Sequence, residues 1–97
     1  MFRFDLDTRA EHPLPYDLAA LCEVDTENRR LTIHLRNRGT ESAHFVIFPY
    51  ASATEWPHHV DVQGAKSRIL PIPGNEYDVL VVGPDGFRRD FRGRLAG

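Results

Sequence analysis

Five histidines, one cysteine and a C-terminal run of arginines are the residues of this 97-residue chain whose types could do chemistry. His58 and His59 are adjacent, and on a strand neighbouring side chains point to opposite faces. They cannot chelate one ion together; a zinc site would need His34, His44 or Asp61 brought in from other strands, and no H-x-H, C-x-x-C or H-E-x-x-H spacing is present. No metal and no cofactor are therefore expected. Cys22 falls beside Ala20 and Val24 on an apolar strand face, which reads as a buried structural thiol, since reactive thiolates sit in electropositive, partly exposed settings. The chain has no G-x-S-x-G, no phosphate-cradling glycine loop and no G-x-G-x-x-G, so no catalytic residue is assigned.

Two groups remain as contact candidates. Arg88, Arg89, Arg92 and Arg94 lie close together near the C-terminus, where they could meet phosphate headgroups or an acidic face of another domain. With Asp85 and Asp90 interleaved they equally describe a solvated strand face. Tyr50 and Trp56 sit in a loop, and such amphipathic rings can enter a lipid interface. Trp56, next to Pro57, would serve as well as a lid over one end of the fold.

The elements that position these residues have a period of two. Tyr16, Leu18, Ala20, Cys22 and Val24 alternate with Asp17, Ala19, Leu21 and Glu23, and the strand ends at Asp25-Thr26-Glu27-Asn28. Leu31, Ile33 and Leu35 alternate with Arg30, Thr32, His34 and Arg36, and Asn37-Arg38-Gly39-Thr40 follows as a turn. Ala43–Phe48 is nearly continuous in apolar residues, the pattern of a central strand covered on both faces. Val60–Val62 is a short edge strand, and Pro71 places Ser67–Ile72 at an edge or a bulge. Tyr77–Val82 runs into Gly83-Pro84-Asp85-Gly86, where Gly86 suits a left-handed position, and the chain reverses into Phe87–Arg92. About seven short antiparallel strands with no helix predict an all-β sandwich, immunoglobulin-like or fibronectin-like in the broad sense. Tyr77, after the corner Pro73-Gly74, stands where such folds carry a tyrosine whose hydroxyl bonds upstream backbone.

Length and charge set the limits. One domain is all that 97 residues can build. Twelve basic against 14 acidic side chains, a net charge of −2, give no basic surface for nucleic acid. A single cysteine excludes an internal disulfide, and no apolar run approaches the ~20 residues of a membrane span. Residues 1–12 read as an acidic leader or linker and 13–97 as the domain. The start lacks an apolar signal core, so an export signal is expected elsewhere and the chain is expected to be one piece of a longer protein.

Several segments together resemble a known family. Leu14-Pro15-Tyr16-Asp17-Leu18, Leu31–Gly39 with its Asn-x-Gly turn, Phe45-Val46-Ile47-Phe48 and above all the closing hairpin Tyr77–Gly93 are similar to the C-terminal domain of bacterial phospholipases C. The resemblance covers roughly residues 13–93. In place of that family's longer, tryptophan-containing stretch before the penultimate strand, this chain has the short Lys66–Pro73. The resemblance implies a non-catalytic accessory module of a secreted or cell-envelope enzyme whose separate N-terminal domain hydrolyses phosphatidylcholine-type phospholipids. Its partner would be that catalytic domain or a phospholipid surface. A free-standing immunoglobulin-like interaction or adhesion domain is the alternative.

Overall fold

A computed structural model describes residues 14–51 and 56–95. Seven strands follow one another: β1 (Leu18–Asp25), β2 (Arg30–Asn37), β3 (Ala43–Pro49), β4 (His58–Val62), β5 (Gly64–Pro71), β6 (Glu76–Val82) and β7 (Arg88–Arg94). They form two antiparallel sheets, one in the order β1-β2-β5 and the other in the order β4-β3-β6-β7. β4 joins the sheet of β3 and not that of β5, which is the fibronectin-like variant of the immunoglobulin sandwich. The all-β sandwich expected from the alternation is thus the observed fold.

The inward positions of both sheets make one core. Leu31, Ile33, Leu35 and Leu70 of the three-stranded sheet meet Ala43, Phe45, Ile47, Val60, Val62, Val79 and Val81 of the four-stranded one. Phe45 is at the centre and Phe87 meets its ring edge-on, with centroids 5.6 Å apart. Burying such side chains contributes on the order of 1.5–3 kcal/mol each, which is why the period of two fixes both register and face.

Among the described residues one polar side chain is fully buried in this core. Asn37, at the end of β2, accepts from the Gly39 N–H (2.9 Å) and the Asp17 N–H (3.2 Å), and it donates to the carbonyls of Glu41 (2.6 Å) and Val62 (3.0 Å). Two acceptor and two donor bonds use the full capacity of a carboxamide. The knot ties the segment entering β1 to the β2–β3 turn and to the end of β4. Gly39 is required beside it, because any Cβ there would overlap the backbone of Pro15 and Tyr16.

Three expectations change. β3 is central, but only its inner side is buried: His44 is exposed, and Val46 and Phe48 are half-covered on the outer face. Tyr77 makes no backbone hydrogen bond through its hydroxyl among the described residues; its ring lies across Gly93, its cross-strand partner on β7, and fills the space a side chain would take. Trp56 is 83% exposed and closes neither end of the sandwich. The turn before β7 is a short 3-10 turn in which both Asp85 and Gly86 are left-handed.

Candidate functional site

β7 carries all four candidate arginines, but its pleat divides them. Arg88, Arg92 and Arg94 share the outer face of the four-stranded sheet, whereas Arg89 has the inward parity of Phe91 and lies 4.5 Å over the Phe87 ring. The three outer arginines are matched by carboxylates. Arg94 Nη2 donates to Glu76 Oε2 at 2.7 Å, Arg92 Nε stands 3.6 Å from Asp78 Oδ1, and Arg88 Nε donates to Asp90 Oδ2 at 3.4 Å. The first two pairs are direct cross-strand neighbours between β6 and β7. Three positive and three negative groups cancel, so this face presents a neutral ladder and not a basic patch. Each exposed pair contributes about 0–1 kcal/mol.

The aromatic candidates sit at one end of the same sheet. Tyr50, 61% exposed, stacks on Phe48 with centroids 6.0 Å apart and planes 12° from parallel. The adjacent Ala51 N–H bonds the Asp78 carbonyl, which brings Tyr50 to the Asp78–Arg92 end of the ladder. There Ala51, Pro73, Asn75, Glu76, Arg92 and Arg94 surround a broad depression of about 830 Å³. Arg88, opposite Val82, is at the far end of β7. The structure therefore gathers Arg92 and Arg94 at the end of the sheet where Tyr50 follows β3, with Tyr50 itself outside the lining of the depression, and it separates Arg88 and Arg89 from them.

Sequence reasoning missed what lies between. On the outer face Val46 is directly opposite Val82, and Phe48 is directly opposite Leu80. These four form an apolar strip continued by Tyr50, half-covered at Val46, Phe48 and Val82 and buried at Leu80. The signal was present: apolar residues at both parities of β3.

Beyond the strip, on the β4 side, His44 Nδ1 is 2.8 Å from Asp61 Oδ1, and its Nε2 is 3.0 Å from His59 Nδ1. His44 and Asp61 are cross-strand partners, and His59, opposite Val46, is the diagonal neighbour of His44. Two rings and one carboxylate make a hydrogen-bonded chain. Among the described residues no three His, Cys, Asp or Glu side chains are grouped to hold a metal ion. Cys22 is half-buried, not sealed in the core, and burial pushes its thiol above the usual value.

The family model and the curated relative agree on family. The family model for the bacterial phospholipase C, C-terminal domain, matches residues 10–94. The non-hemolytic phospholipase C of Burkholderia pseudomallei (strain K96243) is 30% identical over 95 residues, covering 91% of this chain. The chain spans 13% of that relative's length. Among solved structures, the ApaA protein of Bordetella pertussis aligns over 87% of this chain and 92% of its own at 18% identity, with a TM-score of 0.29 that carries no argument.

Proposed function

This chain belongs to the family of bacterial phospholipase C C-terminal domains, and from that premise we propose that it is an accessory module without catalytic residues of its own, which docks on the catalytic domain of such an enzyme. The observation that carries the docking is the outer face of the four-stranded sheet. An apolar strip, Val46, Phe48, Leu80 and Val82, is rimmed by the His44–His59–Asp61 chain on one side and by the paired charges of β6 and β7 on the other. An apolar centre with a polar, charge-balanced rim is the anatomy of a protein–protein contact. Tyr50 at its end adds a rigid aromatic anchor. The enzyme served would be secreted or in the cell envelope and would act on phosphatidylcholine-type lipids.

Direct lipid contact has less support. A phosphate surface would have to break the arginine–carboxylate pairs, and the face has no net positive charge to be attracted by. Trp56 remains the residue most open to such a contact.

The test mixes the chain with a separately produced phospholipase C catalytic domain from the same genome. We expect the chain alone to leave p-nitrophenylphosphorylcholine unhydrolysed and to bind the catalytic domain. Phe48→Asp is expected to weaken that binding at least tenfold while the isolated module stays folded by circular dichroism. Turnover by the chain alone, or undiminished binding by Phe48→Asp, would overturn the respective half of the proposal. Sedimentation with anionic and zwitterionic vesicles at low salt decides the lipid alternative.

A further inference from the structure

Three exposed side chains on the outer face of the four-stranded sheet hold an arrangement that folding does not require. His44 is directly opposite Asp61, and His59 takes the diagonal position, from which a ring can still reach across. No spacing within one strand brings these three together; the β3–β4 register does. His44 Nδ1 is 2.8 Å from Asp61 Oδ1, and His44 Nε2 is 3.0 Å from His59 Nδ1. The side chains of His44 and Asp61 are 52% and 74% exposed, so their contact contributes about 0–1 kcal/mol to stability. His58 has the inward parity of Val60 and is turned to the other face.

The carboxylate selects the tautomer of His44. An ionised carboxylate only accepts, so the ring nitrogen facing it, Nδ1, carries the proton, and Nε2 of the neutral ring carries a lone pair. His59 Nδ1 donates to that lone pair when it holds the His59 proton. In the other tautomer of His59, with its proton on Nε2, two imidazole lone pairs face one gap, and a cation between them satisfies both. No proton is gained or lost in that change. A histidine whose one ring N–H is held by a carboxylate while the other nitrogen coordinates is the usual outer-shell pattern of metal-ligating histidines. A tetrahedral ion about 2.0–2.1 Å from each of two nitrogens sets them about 3.4 Å apart, so these exposed rings need separate by only a few tenths of an ångström.

We propose that His44 Nε2 and His59 Nδ1 together bind one borderline divalent ion of the Zn²⁺ and Cu²⁺ class, with Asp61 as the positioning residue for His44. Imidazole nitrogen suits such ions, whereas Mg²⁺ and Ca²⁺ take oxygen ligands and are not expected here. Two protein ligands and one outer carboxylate leave the remaining positions to water or to a side chain of whatever is seated on this face. The site stands independently of the docking on a catalytic domain.

Calorimetric titration of the untagged full chain with Zn²⁺, with Mg²⁺ in excess, is expected to show one ion bound per chain. His44→Ala and His59→Ala are each expected to weaken binding at least tenfold. His34→Ala, which removes a histidine in contact with Glu23 on the other sheet, is not. Asp61→Ala is expected to weaken it about tenfold or more, and Asp61→Asn less, because a carboxamide oxygen still accepts from Nδ1–H. With Cu²⁺, the electron paramagnetic resonance spectrum is expected to show splitting from two imidazole nitrogens, a pattern that neither His variant retains. Circular dichroism melts confirm that these surface variants stay folded. Absence of Zn²⁺ binding by the folded chain, undiminished binding by either His variant, or an equal loss in His34→Ala would overturn the site. Wild-type affinity in Asp61→Ala would overturn the positioning role.

Discussion

The buried knot around Asn37 and the exposed ladder of β6 and β7 are both built from polar side chains that join distant parts of the chain, yet they do different work. Asn37 is 1% exposed, neutral, and bonded at every donor and acceptor. Arg94 and Glu76 are mostly in water, charged, and held by one contact. In a low-dielectric interior a lost partner leaves a desolvated group behind, whereas at the surface water replaces it. The difference teaches where polar residues hold this sandwich together and where they only finish its surface.

The largest effect is expected from cutting the knot. Asn37→Ala would strand the Val62 carbonyl in the core and free the Gly39 N–H, at about 2–4 kcal/mol by the usual cost of unsatisfied buried groups. For a domain of this size about 3 kcal/mol lowers the melting temperature by roughly 12–24 °C. Urea unfolding followed by circular dichroism measures it. A loss below about 1 kcal/mol would mean that water replaces the carboxamide and that the knot is no different from the ladder.

Next comes the approach that the knot depends on. Gly39→Ala puts a Cβ against the Pro15 carbonyl, backbone on backbone, so the segment entering β1 must move. About 1–3 kcal/mol is expected, as for other overpacked sites. Since Asp17 and Gly39 both donate to the Asn37 side chain, the double variant should cost less than the two single variants together. Full additivity would show that Gly39 acts apart from Asn37.

These two residues also mark how much the sequence disclosed. Asn37-Arg38-Gly39 reads as a turn, and it is one, because turn chemistry is local. That the same asparagine is a core residue depends on Val62, 25 positions away, and nothing local announces it. β2 is legible in full because one face is core and the other is water. β3 is not, because apolar residues at both parities describe a doubly covered strand as well as one whose outer face awaits a partner. The arginines of β7 look like a patch in sequence, since Glu76 and Asp78 lie on a different strand and meet them only through the β6–β7 register. Tyr77 has the position of a corner tyrosine, but Gly93 opposite gives its ring a different place to lie.

The ladder gives the opposite limit. Arg94→Ala is expected to cost less than about 1 kcal/mol, with a difference from wild type that shrinks as salt is raised from low ionic strength to about 1 M. Thermal melts across that salt series check both statements. A larger, salt-insensitive loss would place the ladder with the knot and would mean that Arg94 stabilises by packing its stem, not by its charge.

The smallest effect is confined to the β1–β2 turn, which combines features of both regions. Asp25 is at the surface like the ladder, yet it is bonded twice by a local partner: its Oδ2 accepts from Asn28 Nδ2 at 2.8 Å and its Oδ1 from the Asn28 N–H at 3.2 Å. The Asn28 side chain, then its backbone N–H, hold this carboxyl below the ordinary aspartate value of about 3.9. The sign follows from linkage. The folded state binds the proton more weakly than the unfolded chain, so the turn's contribution is complete above the unfolded value and is lost as the pH falls through the folded one. Asn28→Ala removes the larger cause and part of this pH dependence, and should return Asp25 toward the ordinary value in a carboxyl-detected NMR titration. Because water competes for every group in this turn, the melting temperature near neutral pH should hardly move. An Asp25 that titrates normally in the wild type would show that two local bonds at full exposure do no more for a carboxylate than solvent does, and the contrast with Asn37 would then rest on burial alone.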